Sequence, residues 1–282
     1  MAGIINGTTN FILSKMRDEG LDFAAALAQA QALGYAEADP TFDIEGIDAA
    51  HKLTLLAANA FGMPLRFADA QVEGISGLQG IDVACAEQLG FRIKLLGVAR
   101  RRAAGVELRV QPALVPADHL MAQVKGSMNA VMVKSDAAGL TMYYGAGAGS
   151  EQTASAVIAD LVDVARLDGV AAAQHVPHLG FHAHATNALQ VLPRAAVDTL
   201  HYLRVPVRGV SQIQAVTACL GEQKVPVRQV ALAAERPGQG PQVLVLTGPV
   251  TQGTVDLAVH ALQEHAAVAG AVTTLRVEEL AG

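Results

Sequence analysis

Between Glu37 and Asp48 the chain packs five carboxylates (Glu37, Asp39, Asp43, Glu45, Asp48) into twelve residues, and the first cation after them is Lys52. The run lies among the turn residues Gly34, Pro40 and Gly46, then opens into a helical pattern. Ile47, Ala50, Thr54, Leu55, Ala57 and Ala58 recur at helical spacing, and Gly62-Met63-Pro64 stops them. Ordinary surfaces mix charge signs, so this cluster is either a solvated acidic loop or a site for a positively charged group. Asp48 and Lys52 are four residues apart and share one helix face. As a plain surface pair they add about 0.3–0.5 kcal/mol. As a site they present a lysine held in one orientation to give or take a proton. Leu55 and Leu56 follow, which predicts a lysine stem on partly buried surface and an ammonium that loses its proton more easily through desolvation.

Periodicity predicts helices near 8–18, 22–33, 45–61, 82–91 and 151–166, and strands near 70–77, 92–101, 106–115, 128–135 and 139–145. The alternation in Val106-Glu107-Leu108-Arg109-Val110 points to an α+β fold, a domain with a mixed, largely antiparallel sheet and helices. At 282 residues two domains are expected. The first covers 1–168, and 169–203 reads as a low-charge linker. The second covers 204–282: a strand at Tyr202–Val207, a helix from Gln212 to Gly221, strands near 225–234 and 241–248, a helix from Thr254 to His265, and a strand from Val272 to Glu278.

Other features set limits. The strand-like Leu140–Tyr144 leads into Gly145-Ala146-Gly147-Ala148-Gly149 and a helix, a context in which a helix N-terminus binds phosphate. A dinucleotide fingerprint also needs a second strand with an acidic residue about 20 positions on, and Asp168–Ala173 supplies none. The stripe Ala154, Val157, Ile158, Leu161 and Val164 is therefore expected to pack on another domain and to be exposed in this chain alone. His175, His178, His182 and His184 raise a zinc question, but Pro177 and Gly180 interrupt them and no thiolate or carboxylate is near, so a surface loop is expected and no metal. The net charge of −6 argues against nucleic acid, and Arg100-Arg101-Arg102 reads as a solvated strand end. Cys85 and Cys219 read as separate buried thiols, as in a reducing cytoplasm. No signal peptide and no apolar run of 18 residues is seen, so neither secretion nor a membrane partner is expected.

Four blocks together resemble the homoserine dehydrogenase family. They are the acidic segment Leu33–Lys52, Gly3-Ile4-Ile5-Asn6-Gly7-Thr8-Thr9-Asn10-Phe11-Ile12-Leu13, Ile93-Lys94-Leu95-Leu96-Gly97, and Gly145–Gly149 with Thr153–Val157, in family order over residues 2–166. The resemblance implies interconversion of L-aspartate 4-semialdehyde and L-homoserine with NADP or NAD. It makes Lys52 the acid/base and Asp48 its orienter. Glu37 and Asp43 match carboxylates for the substrate ammonium, with Glu37 also near the nicotinamide. Gly7, Thr8 and Tyr35 match the substrate lining, and Gly149 matches a backbone position against the cofactor. It further implies a homodimer or higher oligomer formed through the first domain's sheet.

The family begins with a nucleotide-binding domain, which also carries a second lysine near the substrate and most of a monovalent-cation site. This sequence starts almost at the substrate block, so a truncated member is expected, and whether it is active or inactive alone stays open. The βαββαβ order of the last eighty residues resembles an ACT domain, often a threonine-responsive module in this family. Here Arg208-Gly209-Val210-Ser211 replaces its usual Asp-x-Pro-Gly turn, so a dimerising module without effector stays open. Two further readings remain: a related semialdehyde or oxo-acid reductase, and a non-catalytic threonine or homoserine sensor.

Overall fold

A computed structural model describes residues 1–171, 175, 177 and 180–280 of the chain. It begins with strand β1 (Ala2–Ile4), helices α1 (Gly7–Asp18) and α2 (Phe23–Ala32), a one-turn α3 (Thr41–Ile44) and α4 (Ile47–Phe61). Then come β2 (Gln71–Val72), α5 (Gly80–Gln88), the hairpin β3 (Phe91–Arg102) and β4 (Gly105–Pro116), the hairpin β5 (Met128–Ser135) and β6 (Gly139–Ala146), and α6 (Ser150–Leu167). The remainder is β7 (Asp198–Pro206), α7 (Ile213–Glu222), β8 (Val227–Leu232), β9 (Gln242–Thr247), β10 (Val250–Thr251), α8 (Gln252–Glu264) and β11 (Thr273–Val277).

The helix starts follow from caps. Asn6 accepts from the Thr9 amide ahead of α1, and Asp22 accepts from Ala25 ahead of α2. Gly46 and Gly62 bound α4 in left-handed conformation, the second as the usual glycine stop. The strand expected at 70–77 shrinks to two residues. After Glu73 donates to Val110 the chain turns away, and Ile75 donates to Ile44 at the end of α3 instead. Gly74 makes that turn possible, since a Cβ there would lie 2.4 Å from the Ile44 carbonyl oxygen.

All strands join one sheet of order β6-β5-β1-β3-β4-β11-β7-β9-β8, with β2 beside β4 and β10 beside β7. Among the described strands, only the pairings of β11 and β2 with β4 are parallel. The C-terminal part keeps the expected βαββαβ order, with its fourth strand beside its first and its third between first and second. It does not stand apart from the first part. Helices α7 and α8 cover one sheet face, where Leu203, Val205, Val243 and Val245 meet Val216, Leu220, Ala258 and Leu262. The alternate residues Tyr202, Leu244, Leu246, Leu275 and Val277 point the other way, into the core shared with Ile81, Cys85 and Leu108. The expected linker is partly ordered against this body. Strand β7 begins at Asp198 instead of Tyr202, and Val106 exchanges hydrogen bonds with Gln190 and Leu192.

A buried ion cluster marks the join. Arg109 donates to Glu107 at 2.7 Å and also pairs with Glu278. Arg100 reaches Glu278 and Arg102 reaches Glu107, each at 3.0 Å. The run 100–102 is thus not a solvated strand end throughout: two of its three guanidinium groups neutralise buried carboxylates. Cys85 and Cys219 are free and buried, as expected.

Helix α6 has no buried residue, and Val157, Ile158, Leu161 and Val164 are 53% to 65% exposed, so the expected stripe is open in this chain. His178 lies outside the described residues. Among the described residues no group of three or more His, Cys, Asp or Glu is placed to hold a metal ion, and no helix is long and apolar enough to cross a membrane.

Candidate active site

The acidic run divides its work. Asp39 accepts from the Thr41 hydroxyl at 2.6 Å and amide at 3.1 Å, which builds the turn into α3. Asp43 lies on α3 and Asp48 in the first turn of α4, where the helix dipole favours a carboxylate. Between the two helices Gly46 adopts φ +77°, and a Cβ there would come 3.1 Å from Val110 on β4. That close approach seats the start of α4 on the sheet.

Lys52 lies one turn further along α4. Its Nζ donates to Asp48 Oδ2 at 2.7 Å and to the Ile5 carbonyl at 3.2 Å. The ammonium has three donors, so one N–H remains for a substrate oxygen. Its side chain is 47% exposed, so about half of it is covered. Leu55 is half exposed too, so α4 turns this face toward solvent. The far end of α4 is tied down by the expected linker, where Asn187 donates to the Gly62 and Phe61 carbonyls at 2.6 and 3.0 Å.

The structure therefore brings Lys52, Asp48 and Asp43 together, and the residue that joins them was not singled out from the sequence. Asn6 Nδ2 donates to Asp43 Oδ1 at 2.7 Å and to Asp48 Oδ2 at 2.9 Å. The signal for Asn6 was present only as an N-cap ahead of α1, a role that gives no hint of two distant carboxylates.

Gly7 and Thr8 follow at the α1 N-terminus. A Cβ on Gly7 would lie 2.6 Å from the Ser127 carbonyl oxygen, so a side chain there would push the β5 approach away. Thr8 Oγ1 donates to the Tyr35 carbonyl at 2.7 Å, which fixes the exposed Tyr35 beside α1, its ring 4.9 Å from that of Phe11. Glu37 is exposed and, among the described residues, its carboxylate has no hydrogen bond to this cluster; only its backbone carbonyl is held, by Gln31.

Gly149 stands apart from the cluster, at the N-terminus of α6. It adopts φ +132° and no side chain caps the helix there, so the first amides of an eighteen-residue helix are open. That is a fit for a nucleotide's negative groups against bare backbone. The glycine turn before it connects back to the site through Asn129: a Cβ on Gly147 would lie 2.1 Å from Asn129 Nδ2, and one on Gly7 would lie 3.4 Å from Asn129 Oδ1. Ile5, Asn129, Tyr143, Tyr144 and Gly145 line an open cleft of about 310 Å³ on this side.

The stretch of chain that carries this lysine, the clamped carboxylate pair and the glycine turn is similar to known proteins. A family model described as homoserine dehydrogenase matches residues 1–162. A homoserine dehydrogenase of Pseudomonas aeruginosa is 52% identical over 99% of this chain and 65% of its own length. One from Neisseria gonorrhoeae is 45% identical over 99% of this chain and 65% of its own. The crystal structure of a homoserine dehydrogenase from Thiobacillus denitrificans superposes with a TM-score of 0.92 at 51% identity, over 99% of this chain and 64% of that one. This chain belongs to the homoserine dehydrogenase family, and it spans about two thirds of the length of those relatives.

Proposed function

We propose that this chain supplies the substrate-binding and proton-transfer part of an enzyme that interconverts L-aspartate 4-semialdehyde and L-homoserine. The observation that carries the reading is the geometry at Lys52, with two donors committed to Asp48 and Ile5 and one left for a substrate oxygen. Glu37 and Asp43 hold the substrate's ammonium, and Gly7, Thr8 and Tyr35 line the place where its carbon chain lies. Lys52 delivers a proton to the aldehyde oxygen as it becomes a hydroxyl, and withdraws one in the reverse direction. Asp48 keeps the ammonium aimed at that oxygen. Gly149 and Glu37 would hold the nicotinamide cofactor, which would supply a hydride as NADPH or NADH and accept one as NADP or NAD. The βαββαβ unit is assigned as an ACT-like module for threonine. A homodimer or higher assembly in the cytoplasm completes the reading.

The test is L-homoserine-dependent formation of NADPH or NADH at alkaline pH, by this chain with a separately expressed nucleotide-binding domain of the family. Turnover is expected, and Lys52→Ala should lower kcat by roughly 100-fold or more, the usual span for a positioned acid/base, with the melting temperature unchanged. A variant that keeps kcat within a few-fold removes Lys52 from the mechanism.

A further inference from the structure

We infer that Asn6 is the positioning residue that sets both the ammonium subsite and the proton donor, an inference that rests on the proposed roles of Asp43, Asp48 and Lys52. Asn6 is buried, two residues beyond β1, which pairs with β3 on one side and β5 on the other. Its backbone is extended, at φ −130° and ψ 115°, and it caps α1. A carboxamide offers two N–H donors and one carbonyl acceptor in a single plane. All three directions are used: Oδ1 accepts from Thr9 at 2.8 Å, and Nδ2 donates to Asp43 and Asp48.

Two carboxylates this close repel each other, and the group between them decides what the site can bind. A lysine or arginine there would cancel the charge and compete with an ammonium ligand. A carboxamide holds both acids and adds no charge, so beside Lys52 the pair keeps one net negative charge for a cation. It occupies Asp43 Oδ1 and Asp48 Oδ2 and leaves the other oxygen of each, among the described residues, without a hydrogen bond. Those free oxygens are the ones an ammonium can take. Asp48 Oδ2 also accepts from Lys52, so rotation of that carboxylate would break two bonds at once. Lys52 is in turn held over the carbonyl of Ile5, the residue just before Asn6. One rigid strand end thus fixes the substrate anchor and the proton donor relative to each other.

The experiment compares Asn6→Ser and Asn6→Asp in this chain by calorimetric titration with L-homoserine. Ser and Asp both cap helices as well as Asn does, so α1 keeps its start. Ser loses the double donor, and Asp places a third carboxylate against the other two. Homoserine affinity should fall roughly tenfold or more in Asn6→Ser, as expected for losing a hydrogen bond to a charged group, and further in Asn6→Asp. In an Asp43→Asn background the effect of Asn6→Ser should shrink, because Asn6 acts through that carboxylate. Affinity within twofold of wild type in Asn6→Ser, or equal losses in both backgrounds, would overturn the inference. Should the unaltered chain not bind homoserine even with a separately expressed nucleotide-binding domain present, the proposed function fails on its own, and the clamp is then read by NMR. Both Asn6 Nδ2 protons should exchange slowly, with Asp43→Asn moving one and Asp48→Asn the other; two freely exchanging protons would refute it.

Discussion

His201 makes the join between the two parts of the sheet sensitive to acid. It lies on β7, 1% exposed, with Nε2 at 3.2 Å from both Thr199 Oγ1 and Gln252 Oε1, and Nδ1 without a hydrogen bond. Burial lowers its pKa from 6.5 to about 4, and the charges of Arg276 and Arg109 push the same way against the Gln252 hydrogen bond and Asp256. The folded chain therefore refuses a proton that the unfolded chain accepts, so stability is full above pH 6.5 and falls as pH drops toward 4. A lowering of this size at about 1.36 kcal/mol per unit sets the loss at roughly 3 kcal/mol by the lower end of that window. Urea denaturation at half-unit steps from pH 7.5 to 4.5, on wild type and His201→Gln, reads it directly. Carboxylates shared by both proteins cancel in the difference. Wild type should lose roughly 2 kcal/mol more than the variant between pH 6.5 and 4.5. Parallel stability curves for the two proteins would mean that His201 titrates normally and that the burial argument is wrong.

Two more outcomes follow from packing. Arg109→Leu leaves Glu107 and Glu278 buried without their main partner. It should cost about 3–5 kcal/mol by urea midpoint, and adding Glu107→Gln and Glu278→Gln should recover most of that; no recovery would assign the loss to packing alone. Gly46→Ala should cost about 1–2 kcal/mol for its left-handed backbone. It should cost more than Gly20→Ala, which shares a positive φ but has nothing within 4 Å, because of the Val110 contact. Equal melting temperatures for the two variants would remove that contact from the account.

Much of the site was legible in the chain. The spacing of Asp48 and Lys52 placed them on one helix face, and they bond at 2.7 Å. Local pattern also produced nearly every helix and strand, since caps such as Asp22 and stops such as Gly62 act within a few residues. What pattern missed depends on partners distant in sequence. The expected strand at 70–77 was lost to competition from the end of α3, and the linker acquired order because Gln190, Leu192 and Asn187 satisfy groups more than 80 residues away in the chain.

The sequence by itself determined the element order, the helical register that pairs an acid with a lysine, and the family to which the chain belongs. These follow from neighbours within a turn or a strand length, or from residues read in order. Only the tertiary structure decided that Asn6 reaches both Asp43 and Asp48, that Lys52 faces solvent, and that the C-terminal strands share a core with the first part. Each of these depends on which faces meet when β4 takes β11 as its neighbour and α4 settles on the sheet at Gly46, and a contact between distant segments leaves no periodicity in the chain that makes it.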